Sequence, residues 1–117
     1  MQKNFLYALI GLLLGVTAFF AQSASGDEYA QGKHLFDDKC ATCHGKDGEG
    51  NGPAGAYLNP SPPDFTKPGF WQQNNIDQVI TDAIENGHGP MPAFNLNARE
   101  IKAIIDYLSH TFKPGGK

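Results

Sequence analysis

Two thiols three residues apart, followed at once by an imidazole, stand at Cys40, Cys43 and His44 in the run C-A-T-C-H. On one helical turn both thiols can face the same molecule, and the imidazole comes next to them. The C-x-x-C-H spacing is that of c-type haem attachment. Each thiol adds to one vinyl group of a single porphyrin, and His44 is then held under the iron as its proximal ligand. Three other chemistries use paired thiols. A thioredoxin-like redox pair needs a βαβ context, which the chain lacks. A zinc site needs further ligands at suitable spacing. A disulfide from Cys40 to Cys43 would close a tiny, strained loop. One covalently attached haem c, with its iron, is therefore the expected cofactor.

The elements that must position these residues are short. The chain has 117 residues, enough for one domain. Of its 14 glycines and 8 prolines, 11 lie between Gly45 and Gly69, where regular structure cannot run for long. A loop of that length is unexpected in a compact domain unless it wraps something. A short helical turn is possible at Ala54–Leu58. Tyr29, Ala30, Leu35 and Phe36 are spaced for an amphipathic helix over Asp27–Lys39. Ile76, Val79, Ile80, Ala83 and Ile84 predict another over Ile76–Asn86, with Asn75 as cap, Gln78 at the box position and Gly87 at its end. The clearest helix follows Asn97 as cap and Glu100 as box partner. Its stripe is Ile101, Ile104, Ile105 and Leu108, and Pro114 stops it.

The charge balance, 9 basic against 12 acidic residues, gives −3. That excludes a nucleic-acid partner held by a basic patch. A partner steered by charge would present a positive face.

Ahead of the domain, Phe5–Ala21 is apolar apart from Thr17, with Lys3 before it. Signal-peptide cores run about 7–15 residues, and spanning helices about 17–25, so this run lies on the boundary. Ala21 and Ser23 place small residues where signal peptidase reads them. Residues 1–25 are expected to be a signal peptide or an N-terminal membrane anchor, and 26–117 the folded domain. Either outcome puts the domain outside the cytoplasmic membrane, periplasmic and soluble or anchored to the outer face.

Over Asp27–Phe112 the chain resembles the class I c-type cytochromes. The resemblance rests on Gly32 and Phe36 in the first helix, C-A-T-C-H-G at Cys40–Gly45, G-P-M-P-A-F at Gly89–Phe94, and Tyr107 in the last helix. The stretch Gly48–Thr66, with G-E-G-N-G-P and S-P-P-D-F-T, is similar to bacterial cytochrome domains found both as small periplasmic shuttles and as subunits of larger respiratory enzymes. The resemblance implies an all-α fold, three main helices and long Gly/Pro loops wrapped around one covalent haem. It implies that Gly32 lets the first and last helices cross closely, with Phe36 and Tyr107 filling the crossing. It also implies a methionine as sixth ligand, from a loop before the last helix. Only Met1 and Met91 exist, and Met91 lies between Pro90 and Pro92. His88, three residues earlier, is the rival ligand. His34 and His110 are read as surface residues. Trp71 is open to two readings: an indole bond to a haem propionate, or packing with some other acceptor. Asp64 and Thr66 are expected to organise the loop around Phe65.

With His44 and Met91 both on the iron, no position is left for substrate. The expected function is one-electron transfer between redox proteins outside the cytoplasmic membrane, with no catalytic residues. Two alternatives stand beside it: a haem subunit fixed in a membrane respiratory or dehydrogenase complex, and a five-coordinate haem enzyme or gas sensor.

Overall fold

A computed structural model describes residues 26–116. The expectations for residues 1–25 lie outside the described residues. Among the described residues no helix is long and apolar enough to cross a membrane. The architecture is helical, without strands among those residues. We label the helices α1 (26–39), α2 (Ala41–His44), α3 (Pro68–Trp71), α4 (Ile76–Asn86) and α5 (Ala98–Phe112), with a 3₁₀ turn at Gly55–Tyr57.

The last helix forms as its sequence predicts. The Asn97 side chain accepts from the N–H groups of Arg99 at 3.0 Å and Glu100 at 3.1 Å. The Glu100 carboxylate accepts from the Asn97 N–H at 2.8 Å, completing the box. Its buried stripe is Ile101, Ala103, Ile104, Ile105, Tyr107 and Leu108. Helix α4 has the predicted bounds but not the predicted start. Asn75 sits in the left-handed region at φ 54, and its side chain makes no capping bond. Its carbonyl instead accepts from the N–H groups of Gln78 and Val79. Gln78, expected to reach back to the cap, donates forward to Asp82 at 2.8 Å. The box fails because a left-handed Asn75 turns its side chain away from the first free N–H groups. Gly87 ends α4 at φ 76, as expected. Helix α3 was not foreseen. A single turn with Pro68 at its first position, it is too short to show a period.

The core is formed by α1, α5, α4 and the aromatic residues of the loops. Phe36 is fully buried and Ile104 nearly so. A Cβ on Gly32 would overlap the Ala103 carbonyl oxygen and come within 2.9 Å of Tyr107 Cβ. The two helices therefore meet backbone to backbone at Gly32. Phe36 packs on Tyr107 with ring centroids 5.4 Å apart, and on Phe112 at 5.5 Å. Burying such a ring stabilises by about 1.5–3 kcal/mol. An exposed ion pair such as Lys33–Asp37, at 2.6 Å, contributes about 0–1 kcal/mol. Packing, and not surface charge, thus sets the crossing that places α2.

Candidate functional site

Helix α1 ends and α2 begins around Cys40, whose carbonyl accepts from Cys43 N–H at 3.1 Å and His44 N–H at 2.9 Å. This turn brings Cys40, Cys43 and His44 onto one helical turn, with Cys40 at its cap. Neither cysteine is in a disulfide. No group of three or more His, Cys, Asp or Glu side chains that could hold a metal ion forms among the described residues. Burial pushes the Cys40 thiol up to about 11, so it is protonated near neutrality.

His44 is buried, and burial lowers its pKa. The ring is thus held neutral, the form that coordinates a metal. Its Nδ1 is buried and finds no hydrogen-bond partner among the described residues. A buried imidazole without a partner costs stability, and such an exception asks for a function. The residues fit a haem: two unpaired thiols, an adjacent neutral imidazole in apolar surroundings, and a core bordered by a thioether.

The long loop is strapped to α2 by its backbone. Gly50 N–H donates to His44 O at 2.8 Å, Gly52 N–H to Cys43 O at 3.1 Å, and Ala54 N–H to Thr42 O at 3.0 Å. A Cβ on Gly52 would strike the Thr42 carbonyl, so only glycine permits this approach. The last carbonyls of α2, which the helix cannot satisfy itself, are satisfied here. Farther along, Asp64 Oδ1 accepts from Thr66 N–H at 2.8 Å and from its hydroxyl at 2.6 Å, the turn expected at that point. Between them Phe65 is buried and stacks on His44, centroids 4.7 Å apart and planes 15° from parallel. Sequence reasoning passed over this contact. Its available signal was one aromatic residue locked between two turn-forming side chains. Trp71 is also buried, and its indole N–H donates to the Phe65 carbonyl at 2.7 Å. In the structure the Trp71 indole is packed, with a backbone carbonyl as its acceptor.

Met91 lies where the sequence places it, in the loop between α4 and α5. His88 N–H donates to Met91 O and Met91 N–H to His88 O, both at 3.0 Å, closing a tight turn. Phe94 N–H donates to Ile84 O at 2.7 Å and ties the loop's exit to α4. Met91 is half-buried and packs on the core, as does Cys40. The same core contains Phe65, the ring that covers His44. The turn holding the thiols and the loop holding the thioether therefore border one apolar interior. His88 is exposed, as are His34 and His110. His110 sets its edge against Tyr29 at 5.2 Å.

The family described as cytochrome C oxidase, cbb3-type, subunit III matches residues 27–108. The chain is 36% identical over 98 residues to the cbb3-type cytochrome c oxidase subunit FixP of Azorhizobium caulinodans, covering 80% of this chain and 31% of that protein. It is 30% identical over 105 residues to the subunit CcoP of Azospirillum sp. (strain B510), covering 87% and 34%. It is 34% identical over 83 residues to cytochrome c6 of Chlorolobion braunii, covering 69% and 88%. The chain thus spans about a third of the length of these oxidase subunits and most of the length of the cytochrome c6. No solved structure matches the chain.

Proposed function

The chain belongs to the cytochrome c oxidase, cbb3-type, subunit III family of haem c domains, and from that membership we propose that it carries single electrons between redox proteins through a haem fixed by Cys40, Cys43, His44 and Met91. When bound, the haem supplies an iron that takes up and releases one electron. Cys40 and Cys43 tether the porphyrin covalently. His44 offers the lone pair of a neutral, buried imidazole, and Met91 offers a thioether sulfur. Thioether ligation favours the ferrous state and raises the potential relative to two imidazoles. The apolar residues around the site exclude water and add to that preference. Held by both His44 and Met91, the iron would offer no position to a substrate, and no bond-making activity is proposed.

The observation that carries this reading is the α2 turn, where two unpaired thiols precede a buried imidazole with an orphaned Nδ1. Acid–acetone extraction of the exported protein tests it. The colour is expected to stay with the polypeptide, and Cys40→Ala or Cys43→Ala to impair attachment. Release of unmodified haem from the native protein would overturn the reading.

A second reading, a haem domain working within a membrane oxidase complex, is favoured by the matches to FixP and CcoP over most of this chain. The coverage of cytochrome c6 favours a free carrier. In both, the domain lies outside the cytoplasmic membrane. Membrane fractionation separates them: a shuttle is recovered in the soluble periplasmic extract, and a complex-bound domain co-sediments with membranes and a terminal oxidase.

A further inference from the structure

When two residues of antiparallel backbone exchange both N–H···O bonds, their side chains leave the same face, with Cα atoms about 5.5 Å apart. His88 and Met91 are such a pair, each N–H donating to the other's carbonyl at 3.0 Å. Gly89, at φ 55, stands first in the two-residue loop between them, a position where tight hairpins take glycine. A thioether and an imidazole therefore share one face of one turn. The thioether is half-buried against the core and the imidazole is exposed.

This turn is pinned at its ends and little held between them. Gly87 N–H donates to Ala83 O at 2.9 Å and Phe94 N–H to Ile84 O at 2.7 Å, which fastens both ends to the last turns of α4. From 88 to 93 the backbone bonds among the described residues are the two that join His88 to Met91. Gly87, at φ 76, and Gly89 flank His88, and glycine has the freest backbone of any residue. Among the described residues, a Cβ on Gly89 would meet only Pro60 Cδ, at 3.9 Å, so the turn has room on that side. The other exposed imidazoles lack this freedom. His34 lies within α1, and His110 lies within α5 with its edge against Tyr29.

We propose that His88 is a reserve ligand: when the Met91 thioether leaves the iron, the turn shifts by about the spacing of the pair, about 5.5 Å, and the His88 imidazole takes the ferric iron in its place. The sixth position then does not stand open to small molecules, and the domain becomes a lower-potential carrier. On reduction the imidazole is held less firmly, since it favours the ferric state, and carbon monoxide displaces it. This rests on the reading of Met91 as the native sixth ligand.

The test uses ferric holoprotein and electron paramagnetic resonance. That method separates low-spin iron with two imidazoles from low-spin iron with imidazole and thioether, and both from high-spin iron with water. Wild type is expected to show imidazole and thioether. Met91→Ala is expected to show two imidazoles. Adding His88→Ala to that variant is expected to give high-spin iron, and free imidazole to restore the low-spin spectrum, which shows that the pocket is intact. Azide should bind ferric Met91→Ala about tenfold or more weakly than the double variant, as a position open about a tenth of the time requires. Where Met91→Ala does not hold haem, Met91→Leu, which keeps the apolar bulk, takes its place in both arms. High-spin iron in the single variant would overturn the proposal while leaving Met91 as the native ligand. So would a low-spin spectrum that His88→Ala leaves unchanged, or equal azide affinity in the two variants. Failure of the ligation itself reads differently: a wild-type spectrum without thioether removes the reading beneath the proposal and the proposal with it.

Discussion

Met91 is a residue whose replacement should change the metal's behaviour while leaving the helices in place. Its thioether is half-buried against the core, and its backbone is locked to His88. In Met91→Ala the far-red sulfur-to-iron band of the ferric protein should vanish, and the ferrous iron should bind carbon monoxide. Met91→His should keep six-coordination and lower the potential, since imidazole favours the ferric state more than thioether does. His88→Ala should leave the band unchanged, because His88 is exposed. The proposed binding residues are legible in the chain to the degree that covalent chemistry fixes their spacing. Cys40, Cys43 and His44 announce themselves because one porphyrin must reach both thiols. Met91 stands out because Met1 is the sole other methionine and because it lies between Pro90 and Pro92 before the last helix. Phe65 and Trp71 stay hidden, since what they touch depends on the path of a loop. No periodicity records that Trp71 returns to the carbonyl of Phe65.

Among the elements, the α1–α5 crossing and the loop turn answer different conditions. Gly32→Leu must push α1 away from the Ala103 carbonyl. Overpacking of this kind costs about 1–3 kcal/mol, and denaturant melts of the holoprotein should show it as a lowered midpoint. The turn at Asp64 responds to acid. The Thr66 hydroxyl holds the Asp64 carboxyl below its usual value, with the Thr66 N–H and Lys67 adding to it. A carboxylate depressed in the fold contributes stability above its unfolded pKa, about 3.9, and loses it as pH falls through the lower folded value. Thr66→Val should therefore reduce the loss of stability below about pH 4, read from melts at a series of pH values. Helices α4 and α5 were readable because eleven and fifteen residues give an apolar stripe room to repeat. Helix α3, with four residues, gives it none. The start of α4 departs from its sequence pattern because a backbone angle at Asn75, invisible in composition, decides the cap.

At the scale of the whole molecule, the interior is shared between helices and a long loop that has little regular structure of its own. Three backbone bonds strap that loop to the turn carrying the thiols, so loop and cofactor turn should order together. Residues 26–117 produced alone in the cytoplasm, and so without haem, should be largely unfolded by far-UV circular dichroism. A native-like apoprotein spectrum would show that the polypeptide completes its core unaided. Trp71, meanwhile, is the chain's single tryptophan, buried and bonded to the residue that covers His44. With haem held at His44 as proposed, this single tryptophan would lie close to a strong visible absorber, so its emission should be almost extinguished by energy transfer in the native state. It thereby becomes a gauge of separation for this one loop. If residues 45–71 peel away before α1, α4 and α5 melt, emission should brighten at lower denaturant than ellipticity falls. Coincident transitions would show that loop and helices come apart as one.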